Sequence, residues 1–208
     1  MVDLRMVPLA EYVFKSLASL SEAFLPDELA YLALTQKIEH AIRDKLAFKL
    51  HQAFAEKTGL LVCREWNRTD IAIIEDDHPR LLLEAKAIYT FDIIKSGAQH
   101  SYPGQLERDI EKAQRWVDAT APNVPEILAL LLATHLHDPP GQEYRQAIKY
   151  FGGVTKYTTA ENTVALADQA IRKRLQLPIV AHGEINGGSA FGIRVSVAYW
   201  LVQPKTEG

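Results

Sequence analysis

Residues 69–91 read TDIAIIEDDHPRLLLEAKAIYTF, two short apolar runs flanking the polar stretch Glu75 to Arg80, which contains Pro79. The runs are too short for helices, and the polar stretch carries turn chemistry, so this segment is expected to be an antiparallel hairpin centred near Asp77 and His78. Residues equally far from the turn centre oppose each other, which sets Asp70 on the first strand against Glu84, Ala85 and Lys86 on the second. Strand alternation places Glu84 and Lys86 on one face and turns Ala85 away. Two carboxylates and an ammonium then converge within otherwise apolar strands.

Charges in such surroundings must be paired or bind an ion. One solution is an interstrand salt bridge from Lys86 to the two acids. The other is a hard-oxygen site: Asp70, Glu84 and the backbone carbonyl of Ala85 suit Mg²⁺ or Mn²⁺, which take few protein ligands and keep waters. A lysine beside that site can orient or deprotonate a water attacking a phosphodiester.

The long segment Glu28 to Lys57 repeats Ile38, Ile42, Leu46, Leu50 and Phe54 every four positions, as one helix with a buried stripe. Glu39 falls inside that apolar arc, while His40, Asp44 and His51 lie outside it. A carboxylate there either pairs with Arg43 one turn on or serves the acidic cluster.

Asp70 followed across a hairpin by Glu84-Ala85-Lys86 resembles the Asp and (Asp/Glu)-x-Lys signature of the PD-(D/E)XK nuclease superfamily, with Thr69 where that signature often has proline. The resemblance implies a restriction-endonuclease-like fold, a three-layer α/β/α arrangement with a central mixed sheet, spanning about residues 28–175. It implies a Mg²⁺-dependent (or Mn²⁺-dependent) endonuclease acting on DNA. Asp70 and Glu84 would hold the metal with the Ala85 carbonyl, Lys86 would position the attacking water, and Glu39 would assist from the preceding helix. Gln105, Arg108 and Lys112, on a second amphipathic helix expected from Gly104 to Ala119, become candidate substrate contacts; Asp109 stands where some branches carry tyrosine. Cutting both strands of a duplex would call for a homodimer.

The remaining chain supplies a helix over Leu9 to Phe24, a strand over Leu60 to Trp66, and a loop from Asp92 to Pro103 containing His100. A doubly buried strand follows over Glu126 to His135, then helices over Gln142 to Phe151 and Ala160 to Leu175. Pro178 to Glu184 and Ala190 to Val202 form a terminal hairpin turning at Asn186-Gly187-Gly188. A single domain is expected, with the first helix and last hairpin as additions to the core. Across 208 residues, 48% hydrophobic and 24% charged with net charge −3, the composition is that of a globular domain without a global basic field. The lone Cys63 excludes an intramolecular disulfide, and no apolar run reaches membrane-spanning length, so a cytoplasmic protein is expected. Two rivals stand: a non-catalytic nucleic-acid-binding or assembly module, and a metal hydrolase centred on His135 and His137. An RNA substrate is a further alternative.

Overall fold

A computed structural model describes residues 8–54, 59–95, 102–117 and 124–205. Its framework is a six-stranded mixed sheet in the order β1-β2-β3-β4-β6-β5. The strands are β1 (Leu61–Trp66), β2 (Thr69–Glu75), β3 (His78–Tyr89), β4 (Glu126–Leu136), β5 (Ile179–Ala190) and β6 (Ile193–Val202). Only β3 and β4 run parallel, joined by a crossover that contains α4 (Thr90–Lys95) and α5 (Tyr102–Gln114). Helices α1 (Leu9–Ala18), α2 (Glu28–Thr35) and α3 (Ile38–Phe54) precede the sheet; α6 (Phe151–Tyr157) and α7 (Val164–Arg174) follow β4.

Strand alternation divides the core into two layers. Ile71, Ile73, Leu81, Leu83, Ala85, Leu128, Leu130 and Leu132 pack with α1, α2 and α3. Ala72, Ile74, Leu82, Ala129, Leu131 and Ala133 face α5 and α7 on the other side. The aliphatic β4 is buried on both faces, as its unbroken apolar run requires. Glu126, at its start, accepts backbone N–H bonds from Leu9 (2.7 Å) and Ala10 (3.0 Å), satisfying free donors at the start of α1 from a distant point of the chain.

The central hairpin turns on Asp76-Asp77 alone, both at positive φ (48° and 65°), the geometry of a tight two-residue turn that aspartate tolerates. Pro79 therefore lies in β3 rather than in the turn. It pairs with Ile74, where the ladder shifts register by one residue between Ile73 and Ile74. That shift offsets the tighter turn, so Ile71 faces Leu83 and the expected juxtaposition of Asp70 with Glu84 is restored.

Other boundaries differ from expectation. The first helix ends at Ala18 and continues as a 3-10 turn over Leu20–Ala23. The single long helix is two, α2 and α3, because Gln36 takes extended backbone angles (φ −147°, ψ 179°). Asp92 to Lys95 belong to α4; the remainder of the expected loop through Ser101, including His100, lies outside the described residues. Gln142–Tyr144 form only a short 3-10 turn, and the helix begins at Phe151. The last hairpin turns at Phe191-Gly192, both at positive φ, while Asn186 to Gly188 form an irregularity inside β5. The hairpin extends the sheet, with β6 pairing antiparallel to β4.

Candidate active site

β2 and β3 pair from Ile71 and Leu83 to the turn, but β3 continues past them to Tyr89, held there only by β4 on its other side. Beyond Leu83 the β2-facing edge of β3 therefore needs other partners for its backbone. Two of the expected site residues provide them. The Ala85 N–H donates to Asp70 Oδ2 (2.8 Å), and the Ala87 N–H donates to Glu39 Oε2 (3.1 Å). A residue's N–H and C=O point to the same side of a strand, so the Ala85 carbonyl also faces this open edge. It accepts a hydrogen bond from Lys86 Nζ (3.2 Å).

Glu84 and Lys86 project on the α5 side, as alternation predicts, and Ala85 is fully buried in the opposite layer. The interstrand salt bridge offered as the simplest alternative does not form. Each charge has a different partner: Lys86 Nζ lies 3.4 Å from Asp109 Oδ2, Glu84 Oε1 accepts from Lys112 Nζ at 2.7 Å, and Asp70 Oδ1 lies 3.5 Å from an Arg43 guanidinium nitrogen. Lys112 also donates to the Arg68 carbonyl at 2.6 Å. Asp70, Glu84, Lys86 and Glu39 are thus gathered at one edge, and Lys112 joins them. Gln105 shares a helical stripe with Asp109 and Lys112 but is solvent-exposed, as is Arg108.

Arg43 and Asp109 were not among the expected site residues. Arg43 lies one turn after Glu39 in the same apolar arc, and its side chain, only 8% exposed, spans Asp44 (2.9 Å), Glu65 (3.0 Å) and Asp70. Its inward position was visible in the helical spacing. Asp109 carried a weaker signal, its i, i+3 relation to Lys112. Asp109 Oδ2 is buried without a hydrogen-bond partner, facing Lys86 as an ion-pair neighbour.

The electrostatics follow from this crowding. Burial pushes the Glu84 carboxyl up to about 7; the Lys112 hydrogen bond opposes the rise, and the charges of Asp70 and Asp109 add to it. Burial by itself would lower Lys86, but Asp109, Glu39, Asp70 and Glu84 together hold the ammonium above its ordinary range. Arg43 behaves alike: desolvation is outweighed by Asp44, Asp70 and Glu65.

A raised carboxyl pKa makes the folded state hold its proton more tightly than the unfolded chain. The contribution of Glu84 is therefore flat below its ordinary value of 4.5, and stability falls as pH rises from there to about 7. Glu84→Gln is expected to remove roughly 1–3 kcal/mol of that loss, about 2–12 °C in melting temperature, in metal-free protein at pH 8 relative to pH 5. Thermal melts of the two proteins across that range would refute the assignment by showing the same pH slope.

At the end of β4, His135 Nδ1 lies 3.1 Å from Thr90 Oγ1 and His137 Nε2 lies 3.2 Å from Ser196 Oγ. The rings meet edge to face at 4.7 Å, and burial, with His137 adding, draws His135 below its ordinary pKa. Among the described residues no group of three or more His, Cys, Asp or Glu side chains is arranged to hold a metal ion, at this pair or elsewhere. Searches against family models, curated proteins and solved structures find no match to this chain. Among the described residues no helix is long and apolar enough to cross a membrane.

Proposed function

We propose that this chain is a divalent-metal-dependent phosphodiesterase cleaving DNA, with the restriction-endonuclease-like architecture of the PD-(D/E)XK superfamily. The observation that carries the reading is the open edge of β3, where Asp70, Glu84, Glu39, Lys86 and the Ala85 carbonyl meet beyond the end of the β2 ladder. Two carboxylates and a carbonyl fit a small hard cation that keeps several waters, a donor set smaller than a cage of three acidic side chains. The buried, unbonded Asp109 oxygen and the elevated Glu84 pKa are signs of excess negative charge at this edge.

Asp70, Glu84 and the Ala85 carbonyl would hold Mg²⁺ or Mn²⁺, whose Lewis acidity activates water and offsets charge on the phosphate. Lys86, kept protonated by its acidic neighbours, serves as a hydrogen-bond donor orienting the attacking water rather than as a base. Glu39 fixes the strand edge through Ala87 and adds negative charge beside Lys86. Gln105 and Arg108, exposed on α5, would contact the DNA backbone.

One observation favours a second reading, a non-catalytic module: Asp70, Glu84 and Lys86 each have a protein partner of opposite charge. Incubating supercoiled plasmid with the protein in Mg²⁺ or Mn²⁺, against EDTA, separates the two. Metal-dependent nicking or linearisation is expected, and linearisation without a nicked intermediate would indicate paired sites in a homodimer. No cleavage, together with no heat of Mg²⁺ binding in calorimetry, would establish the module instead.

A further inference from the structure

The candidate site does not end at Lys86. Three residues further along β3, about 10 Å at the rise of a strand, lies a pocket of about 330 Å³. Ile38 and Ala87 line it; alternation turns Ala87 to the face opposite Glu84 and Lys86, and the link to the charged edge is Glu39, next to Ile38 in the chain, which accepts the Ala87 N–H bond. Tyr89, Phe91, Tyr150 and Tyr157 supply its aromatic lining. Tyr89 and Phe91 stack with ring centroids 4.9 Å apart and planes within 5°, and Tyr150 and Tyr157 of the α6 region close it from the side.

The rim is basic. Lys95 lies 3.1 Å from the Tyr157 ring centroid, Lys149 lies 5.3 Å from that of Tyr150, and Lys156 lies 5.1 Å from that of Tyr157. Exposed Lys37 contributes to the lining itself. Tyr150 remains 54% exposed and adopts a positive φ of 58°, a conformation rare for tyrosine, at the N-cap of α6. An exposed tyrosine held in an uncommon backbone geometry, with lysines beside the aromatic rings, combines the two features by which proteins bind single-stranded nucleic acid: stacking faces and backbone-tracking cations. The volume is at the lower end for small-ligand pockets, matching one nucleoside and excluding a duplex.

We infer that this pocket receives an unpaired base of single-stranded DNA, next to the phosphodiester presented to Asp70, Glu84 and Lys86. The inference deepens the proposed phosphodiesterase reading and rests on it for the neighbouring phosphate. It makes the preferred substrate a single strand, an end or a frayed junction rather than a closed duplex.

The test measures fluorescence anisotropy of a labelled oligothymidine and of a blunt duplex of equal length, with EDTA present to prevent turnover. Tyr150→Asn removes the ring while retaining a residue that tolerates positive φ. Tyr31→Ala changes an exposed tyrosine packed on Phe191 and serves as control. Tyr150→Asn is expected to weaken oligothymidine binding about 10-fold, with duplex binding and the control changed by less than about twofold. Lys37→Glu should weaken the single strand further in low salt than in high salt. Unchanged single-strand affinity in folded Tyr150→Asn, or equal affinity of the native protein for single strand and duplex, would overturn the inference. Plasmid cleavage with no Tyr150 effect leaves the phosphodiesterase standing and the pocket refuted; Tyr150-dependent binding without cleavage in Mg²⁺ does the reverse.

Discussion

Lys86→Ala is expected to lower Mg²⁺-dependent DNA cleavage by about 10²–10³-fold, the scale for removing one donor aimed at developing charge. The variant also strands Asp109, whose Oδ2 is buried with Lys86 Nζ as its ion-pair neighbour at 3.4 Å. Some stability should therefore be lost for a reason unrelated to catalysis. Adding Asp109→Asn in the same chain removes the stranded charge and is expected to recover the melting temperature without recovering cleavage. Lys86→Arg separates two chemical roles. A lysine acting as a charged donor is partly replaced by a guanidinium, so Lys86→Arg should cleave at least about 10-fold faster than Lys86→Ala. A lysine acting as a base would make both equally inactive, because arginine stays protonated. The acidic surroundings that hold Lys86 above its ordinary pKa favour the donor role. Recovery of cleavage in Lys86→Ala/Asp109→Asn would remove Lys86 from the chemistry altogether.

What was legible in the sequence followed from periodicity. Alternation placed Glu84 and Lys86 on one face of β3, and distance from the turn placed Asp70 beside Glu84, although the turn is tighter than expected and Pro79 sits in the strand. Two local irregularities cancelled, which no count along the chain could reveal. Glu39 was legible as a polar residue on an apolar stripe, but its partner, the Ala87 N–H, depends on where β2 stops pairing. That is tertiary information. The break between α2 and α3 was hidden because the apolar spacing continues through Gln36 and Lys37 with no proline or glycine to interrupt it. The last hairpin misled in the opposite sense, since Asn186-Gly187-Gly188 has turn composition but is accommodated as a strand irregularity, with the Gly188 N–H bonded to Asn186 Oδ1 at 3.0 Å. Arg43 was legible only as a one-turn partner for Glu39, because its three carboxylate partners, Asp44, Glu65 and Asp70, are set by tertiary structure except for the adjacent Asp44. The sheet order, six strands with only one parallel pair, joins β4 to a hairpin far along the chain and has no local signature.

Arg43→Met is expected to destabilise the metal-free protein by about 3 kcal/mol, roughly 6–12 °C in melting temperature for a chain of this size. The three carboxylates around Arg43 do not share that cost equally. Asp44 and Glu65 have side chains 43% and 69% exposed and can turn into water, so their pairs contribute little. Asp70 is only 16% exposed and is tied to the Ala85 N–H, so it cannot follow them. Removing the guanidinium leaves that charge close to Glu84, whose own carboxyl is already elevated by burial and by Asp70. The Arg43→Met penalty should accordingly shrink in the Asp70→Asn background, by a coupling energy of about 1–3 kcal/mol in the mutant cycle. Mg²⁺ supplies an independent reading of the same cluster. An ion bound at Asp70 and Glu84 replaces the missing positive charge, and at a concentration about 100 times its Kd it restores about 2.7 kcal/mol. Saturating Mg²⁺ should therefore return Arg43→Met most of the way to the native melting temperature while leaving Arg43→Met/Asp70→Asn nearly unchanged. Recovery of both variants to the same extent would show that the ion binds elsewhere, and a loss below about 1 kcal/mol in Arg43→Met would show that Asp70 does not depend on Arg43.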